Sequence, residues 1–370
     1  MKLVCRIREL QQVLGAVGAV VPRRPWQPAL AYVRLEAQGG ALTVTGADVD
    51  RWMVGSLPAD VDVPGQSLLP GQVLCSLISL LPDGDLEMEQ QGVAVAMRAG
   101  EWTARINGEP ELELPDLTQP SGDCNRWEML GAYLHVLVQR TAYAASSDQT
   151  RPVLTGVHLT GTDAGVEAAA TNGHMLVVTQ AQIREGIPPA GVTVPADSLR
   201  QIARLAKAED VVGLETDQAW LRATLPGYSL GVRLLGGPYP SYRRLFPESF
   251  ALEARVPRAA LRAALQRAQV LSNEDHRRVV LDFTASGLTV TAREAEYGEV
   301  RERIPCELDG QGSLQVCLNQ RYLVSILGAM TGDTVLFRLN RPDSPVLLEE
   351  PGNPYQVLLM PILLPAPAAP

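Results

Sequence analysis

Cysteine, lysine and histidine are all scarce in this chain, and each scarcity removes a class of chemistry. Five cysteines (Cys5, Cys75, Cys124, Cys306 and Cys317) are odd in number, scattered and without a Cys-x-x-Cys pair, which argues against both a disulfide frame and a zinc site. Four histidines (His135, His158, His174 and His276) stand far apart, and no His-Glu-x-x-His occurs, so no metal centre and no cofactor is expected. No glycine-rich loop followed by Lys and Ser or Thr is present to cradle a phosphate. Two lysines, Lys2 and Lys207, stand against 30 arginines, a bias that reads as codon usage rather than function. Long apolar runs are also missing. None approaches the ~20 residues of a membrane span, and Arg6 interrupts the start before a signal-peptide stretch forms, so the expectation is a cytoplasmic protein.

What is present is a repeat. Three short amphipathic helices are predicted at Pro70-Gly-Gln-Val-Leu-Cys-Ser-Leu-Ile, Pro195-Ala-Asp-Ser-Leu-Arg-Gln-Ile-Ala and Asn319-Gln-Arg-Tyr-Leu-Val-Ser-Ile-Leu, with starts 125 and 124 residues apart. Their apolar anchors recur three apart, as Leu74 and Leu77, Leu199 and Ile202, Leu323 and Ile326. An earlier helix in each copy aligns on Leu14, Leu137 and Leu265. Alternating segments then close on Thr45, Thr171 and Thr291, and turn glycines follow at Gly100, Gly227 and Gly352. Four landmarks in one order imply three domains of one α+β fold, each with two helices on antiparallel strands, over 1–122, 123–250 and 251–370. About 120 residues is enough for each to bury its own core. Polar turn-rich stretches at Pro115–Asp123 and from Pro247 to Pro257 fit as linkers, and Pro365 onward reads as a polyproline-like tail.

Charge follows the repeat. The stretches predicted helical, 6–18, 71–81, 127–143, 196–209, 257–271 and 320–331, together carry +6 against −9 for the chain, leaving −15 on strands and loops. Rows of cations are usually solvated helix faces. A basic bias confined to the helices of all three copies is also what a surface built from those helices alone would need to meet phosphates.

The segments Thr171-Asn-Gly-His-Met-Leu, Pro238-Tyr-Pro-Ser-Tyr-Arg-Arg-Leu-Phe-Pro, Val270-Leu-Ser-Asn-Glu and Val357-Leu-Leu-Met-Pro resemble the marker segments of the bacterial DNA polymerase III beta subunit family, the sliding clamps. The resemblance runs the whole chain, from Arg24-Pro25 to Met360-Pro361. It implies three tandem copies of the DNA-clamp fold, and two chains joined head to tail in a ring. Such a homodimer encircles duplex DNA without sequence specificity and acts as a processivity factor. It implies a DNA-facing set of Arg24, Arg140, Arg151, Arg200, Arg204, Lys207, Arg262 and Arg267, and a dimer interface near Ala104 and Ile106 on one side and Val270 and Leu271 on the other. It also implies a hydrophobic pocket between domains 2 and 3 for short motifs of the polymerase catalytic subunit, the clamp loader and repair proteins. The matching positions are Leu154, Thr171, Gly173, His174, Leu176, Pro240, Arg244, Leu245, Tyr322, Leu358, Met360 and Pro361. Pro152 and Val153 replace residues commonly aromatic in the family, a departure that removes stacking on DNA there, while Met175 replaces a common basic residue and Leu363 a common arginine, departures that shift partner preference toward apolar peptides.

Other readings compete. Gly227-Tyr-Ser-Leu-Gly231 fits the nucleophile elbow of serine hydrolases, but the Gly-Gly-Pro-Tyr-Pro downstream forbids the helix that must follow Ser229, and His276 after Asp275 follows an order foreign to that fold. A protein-binding repeat scaffold without DNA encirclement shares the fold but predicts no basic wall. Without the resemblance, His174 after Asn172-Gly173 reads as a hairpin end, and Leu358 and Met360 as core.

Overall fold

The computed structural model describes residues 1–271, 277–294, 296–310 and 312–363. Each repeat opens on a strand rather than a helix: Lys2–Arg6, Asn125–Leu130 and Leu252–Pro257. The cause is period-two patterning, with Leu3 and Cys5, Trp127 and Met129, and Leu252, Ala254 and Val256 all buried on one face. The helix expected from 127 therefore starts at Gly131. A Cβ there would sit 1.9 Å from the Lys207 carbonyl oxygen, so the turn out of the strand needs glycine.

Six helices follow the repeat: α1 (Ile7–Val17), α2 (Gly71–Ser79), α3 (Gly131–Thr141), α4 (Ala196–Leu205), α5 (Arg258–Gln269) and α6 (Gln320–Ala329). The aligned anchors Leu14, Leu137 and Leu265 are all buried, as are Leu74, Leu199, Ile202, Leu323 and Ile326. Burial of each leucine removes apolar surface worth roughly 1.5–3 kcal/mol, which is what holds short helices to their sheets. Leu77 is the exception, half-buried, and Ile78 takes its place. Gly100, Gly227 and Gly352 all have positive φ, the left-handed turn geometry that broke the strand pattern.

Two compact units make up the chain. The first comprises Met1–Ala132, Ile183–Pro189 and Gln201–Leu234. Its described strands form one 13-stranded sheet, in which the first-repeat strand Arg51–Val63 pairs with the second-repeat strand Tyr228–Arg233, Met53 opposite Leu230. The second unit comprises Tyr133–Gln182, Ala190–Arg200 and Leu235–Pro370. It holds a nine-stranded sheet, in which second-repeat Met175–Ala181 pairs with third-repeat Tyr355–Leu359, and a four-stranded sheet. Both units thus contain a seam where strands of successive repeats share one ladder.

At the first seam Gly231 faces Trp52, and a Cβ on Gly231 would lie 2.1 Å from the indole nitrogen, which donates to the Thr118 carbonyl at 2.6 Å. Among the strands that end their sheets are Trp102–Asn107, on the 13-stranded path, and Gly298–Ile304, in the four-stranded sheet. Among the described residues no helix is long and apolar enough to cross a membrane.

Candidate functional site

Within the second unit, the strand Gly165–Thr171 turns back as Met175–Ala181 through Asn172-Gly173. The Asn172 side-chain oxygen accepts the backbone N–H of His174 (2.9 Å) and of Met175 (3.0 Å), and Gly173 takes φ +87°. Thr171 Oγ1 donates to the Met175 carbonyl at 2.6 Å and accepts the Gly173 N–H at 3.1 Å. This over-determined turn holds His174 out in solvent. Its ring stacks near Tyr322, with centroids 6.3 Å apart and planes 21° from parallel. Tyr322 is set by the first turn of α6, where Asn319 caps the N–H groups of Arg321 and Tyr322. The Met360 N–H donates to the His174 carbonyl at 2.9 Å, so three residues far apart in sequence meet.

Beside them lies an apolar floor. Leu176 stands directly opposite Leu358 across the seam, and both pack in one cluster with Ala169, Val178, Tyr242 and Leu347. Tyr239, Phe246 and Phe250 close against it. The loop over this cluster carries Pro240, Arg244 and Leu245, all exposed. Leu245 at 57% and Met360 at 45% exposure are large apolar side chains left open to solvent. Pro361 is half-buried, and Leu154 is buried in the tight turn Pro152–Thr155. Leu176, Leu358 and Leu154 are therefore floor rather than rim.

The same loop is held by polar contacts that the sequence did not reveal. Tyr242 Oη and Arg243 Nη2 both donate to Glu167 Oε1 at 2.7 Å, and Tyr239 stacks on His158 at 4.6 Å with planes 8° apart. Burial first, then Glu167, pushes the Tyr242 hydroxyl up and keeps it a donor. Burial lowers His158, favouring the neutral ring. A polar recess lined by Tyr143, Asn172, His174, Arg321 and Tyr322 adjoins.

The basic set divides. Arg24, Arg151, Arg204, Lys207 and Arg262 are exposed. Arg140 is not a DNA-facing residue: it is 4% exposed, with Nη2 donating to buried Glu350 Oε2 at 2.6 Å. It falls three residues after buried Leu137, on the inward stripe of α3, a spacing that could have revealed it. Arg267 donates to Glu302 at 2.5 and 2.8 Å, and Arg200 is bonded to Asp197 and the Ala142 carbonyl, so their charge is largely answered within the chain. The six observed helices still sum to +6, but fewer of those cations are available.

At the expected interface, Ala104 and Ile106 lie on the terminal strand Trp102–Asn107, Val270 is 85% exposed and Leu271 half-buried. Residues 272–276, including His276, lie outside the described residues, as does the proline-rich tail from 364. Ser229 sits inside the strand Tyr228–Arg233, its hydroxyl accepting from Arg222 Nε at 3.4 Å, with no helix after it. The elbow motif is a hairpin. Burial pushes the Cys5 thiol up to about 12 and Cys306 to about 11, away from nucleophilic thiolate.

Models of the N-terminal, central and C-terminal domains of the DNA polymerase III beta subunit match residues 1–118, 129–241 and 243–363. The beta sliding clamp of Synechococcus elongatus is 33% identical over 376 residues, covering 98% of this chain and 100% of the relative. That of Synechocystis is 31% identical over 395 residues, with the same coverage. The crystal structure of the DNA polymerase III subunit beta from Pseudomonas aeruginosa superposes with a TM-score of 0.90 at 27% identity, covering 98% of this chain and 100% of that one. A sliding clamp from the same organism, solved bound to griselimycin, gives 0.89 at 26% over the same shares. Three domain matches in unbroken order, end-to-end coverage and the threefold fold agree: the chain belongs to the DNA polymerase III beta subunit family, the beta sliding clamps.

Proposed function

We propose that two copies of this chain close head to tail into a ring that carries duplex DNA and tethers replication and repair proteins in the cytoplasm. As a family member the chain is a non-catalytic processivity factor. The observation that carries the detail is the pair of terminal strands. Hairpin geometry makes Trp102–Asn107 the counterpart of Tyr228–Arg233 and Tyr355–Leu359, and Gly298–Ile304 the counterpart of Arg51–Val63 and Met175–Ala181. Two of these three pairings are made inside the chain. The third has both halves present and bonded on one side only, and such edges seek a partner.

Copying the register of the two seams puts Val300 opposite Ala104 and Glu299 opposite Arg105 of a second copy. Ala104 and Val300 then point inward, while Glu299 and Arg105 pair at the surface. The interface centres on these strands rather than on Val270 and Leu271 alone. Each such contact is heterologous and closes because the rotation completes a two-membered ring.

Within the ring, Arg24, Arg151, Arg204, Lys207 and Arg262 supply attraction without register, as sliding requires. The cleft of His174, Tyr322, Met360, Pro361 and the loop with Pro240, Arg244 and Leu245, floored by Leu176 and Leu358, takes the apolar anchors of partner peptides, and Met360 adapts to several. The three matched stretches support domains of 1–122, 123–250 and 251–370. Protein loaded on a nicked circle should stay bound and should leave once the circle is linearised; equal loss from both forms would overturn the ring.

A further inference from the structure

Glu167 is an anomaly in its strand. Gly165–Thr171 is otherwise built of small or apolar residues, yet Glu167 places a carboxylate there that is 3% exposed. A buried carboxylate is costly unless it is answered by donors. Its Oε1 is answered twice, by Tyr242 Oη and Arg243 Nη2, each at 2.7 Å, and Gln180 Nε2 approaches Oε2 at 3.4 Å from the neighbouring strand. Both strong donors come from the one irregular segment that bears Pro240, Arg244 and Leu245. Apart from the short turn Arg243–Leu245, that segment has no helix or strand to fix it. Its two ends are pinned by hydrogen bonds of Leu235 to Thr193 and of Ser249 and Ala251 to Asn340 and Leu339, and between them stand the Tyr239–His158 stack and the packing of Phe246 and Phe250. The stack and the packing beside Pro240, Arg244 and Leu245 are apolar or aromatic and fix depth. The paired hydrogen bonds to one oxygen fix direction.

We propose that Glu167 is a positioning residue of the peptide cleft: by holding Tyr242 and Arg243 it sets the wall formed by Pro240, Arg244 and Leu245, and it assigns the two adjacent arginines opposite tasks. Arg243 is turned back onto the sheet. Arg244 is left pointing outward beside Leu245, where a bound peptide meets it. The inference rests on the cleft reading above, and its test separates the two.

The probe is a fluorescein-labelled pentapeptide with two leucines and a terminal phenylalanine, measured by anisotropy on the full chain. Glu167→Gln, which keeps shape but loses the charge that holds Arg243, should weaken binding about tenfold, and Tyr242→Phe by a similar factor. The double variant should be no weaker than the worse single one, because both changes release the same loop. Dwell time on nicked circular DNA should stay as in the parent, a readout that general unfolding would shorten. Peptide binding by both single variants equal to the parent, additive losses, or a parallel fall in dwell time would overturn the role of Glu167. No binding by the unmodified chain would overturn the cleft itself.

Discussion

The guanidinium of Arg140 and the carboxylate of Glu350 meet at 2.6 Å with both side chains no more than 5% exposed. Glu350 Oε1 also accepts the Thr331 N–H and hydroxyl at 2.8 and 2.9 Å, and Arg140 lies 5.1 Å over the Tyr355 ring. This pair ties α3, from the second repeat, to the turn that launches the strand Tyr355–Leu359, and so stands behind Leu358 and Met360. Arg140→Ala leaves a buried carboxylate without its cation and should cost about 3–5 kcal/mol, read from the urea midpoint of the transition. Arg140→Met with Glu350→Gln removes both charges and should cost clearly less than the sum of the single changes.

Opposed charge at the proposed junction can be exchanged. Glu299→Arg should place two arginines face to face and shift sedimentation from dimer to monomer at micromolar chain. Adding Arg105→Glu should bring the dimer back. A swap that leaves the monomer would show that the strands pair in another register.

Arg204 and Lys207 are exposed, and both follow the α4 stripe of Leu199 and Ile202 without sharing its burial. Replacing both by Ala should lower the slope of log affinity against log salt for duplex DNA by about 2, with no change in sequence preference. Replacing Arg140 should leave that slope untouched.

His158 faces Tyr239, Thr193 and, at longer range, Glu167, and burial depresses its proton affinity below the ordinary 6.5. The unfolded chain therefore binds the proton more readily than the folded one. Its contribution to stability is complete above about 6.5, falls as pH drops from there toward the lower folded value, and then levels off. His158→Gln should flatten that part of the stability profile measured by thermal melts between pH 5 and pH 8; an unchanged slope would exclude His158 as its source.

Much of the architecture was legible because it rests on apolar periodicity. Leu14, Leu137 and Leu265, and the three turn glycines, stand where local pattern put them. The strand at Asn125–Leu130 was missed because Trp127, Met129 and Leu130 also suit a helix, and only the Gly131 contact with Lys207 decides between them. Arg140 was misread for a different reason. A formal charge says nothing about which carboxylate the fold brings to it, and Glu350 is 210 residues away. Glu167 was invisible for the same cause, since its donors lie 75 and 76 residues on. The proposed cleft residues come from resemblance, while pattern alone would have left His174 a hairpin end and Leu358 core, descriptions that are also structurally correct. Gly231 matches the letters of an elbow motif that the downstream sequence already argues against, and its real demand is the face of Trp52.

Because each seam is laid between repeats, the piece that was duplicated and the piece that melts need not coincide. The two compact units cut the central repeat in half: its Asn125–Leu130 and Tyr228–Arg233 strands go with the N-terminal copy, its Gly165–Thr171 and Met175–Ala181 strands with the C-terminal one. A single excised repeat would bare the ladder it normally shares, and hydrogen exchange should reveal boundaries offset by half a copy from those of the sequence repeat.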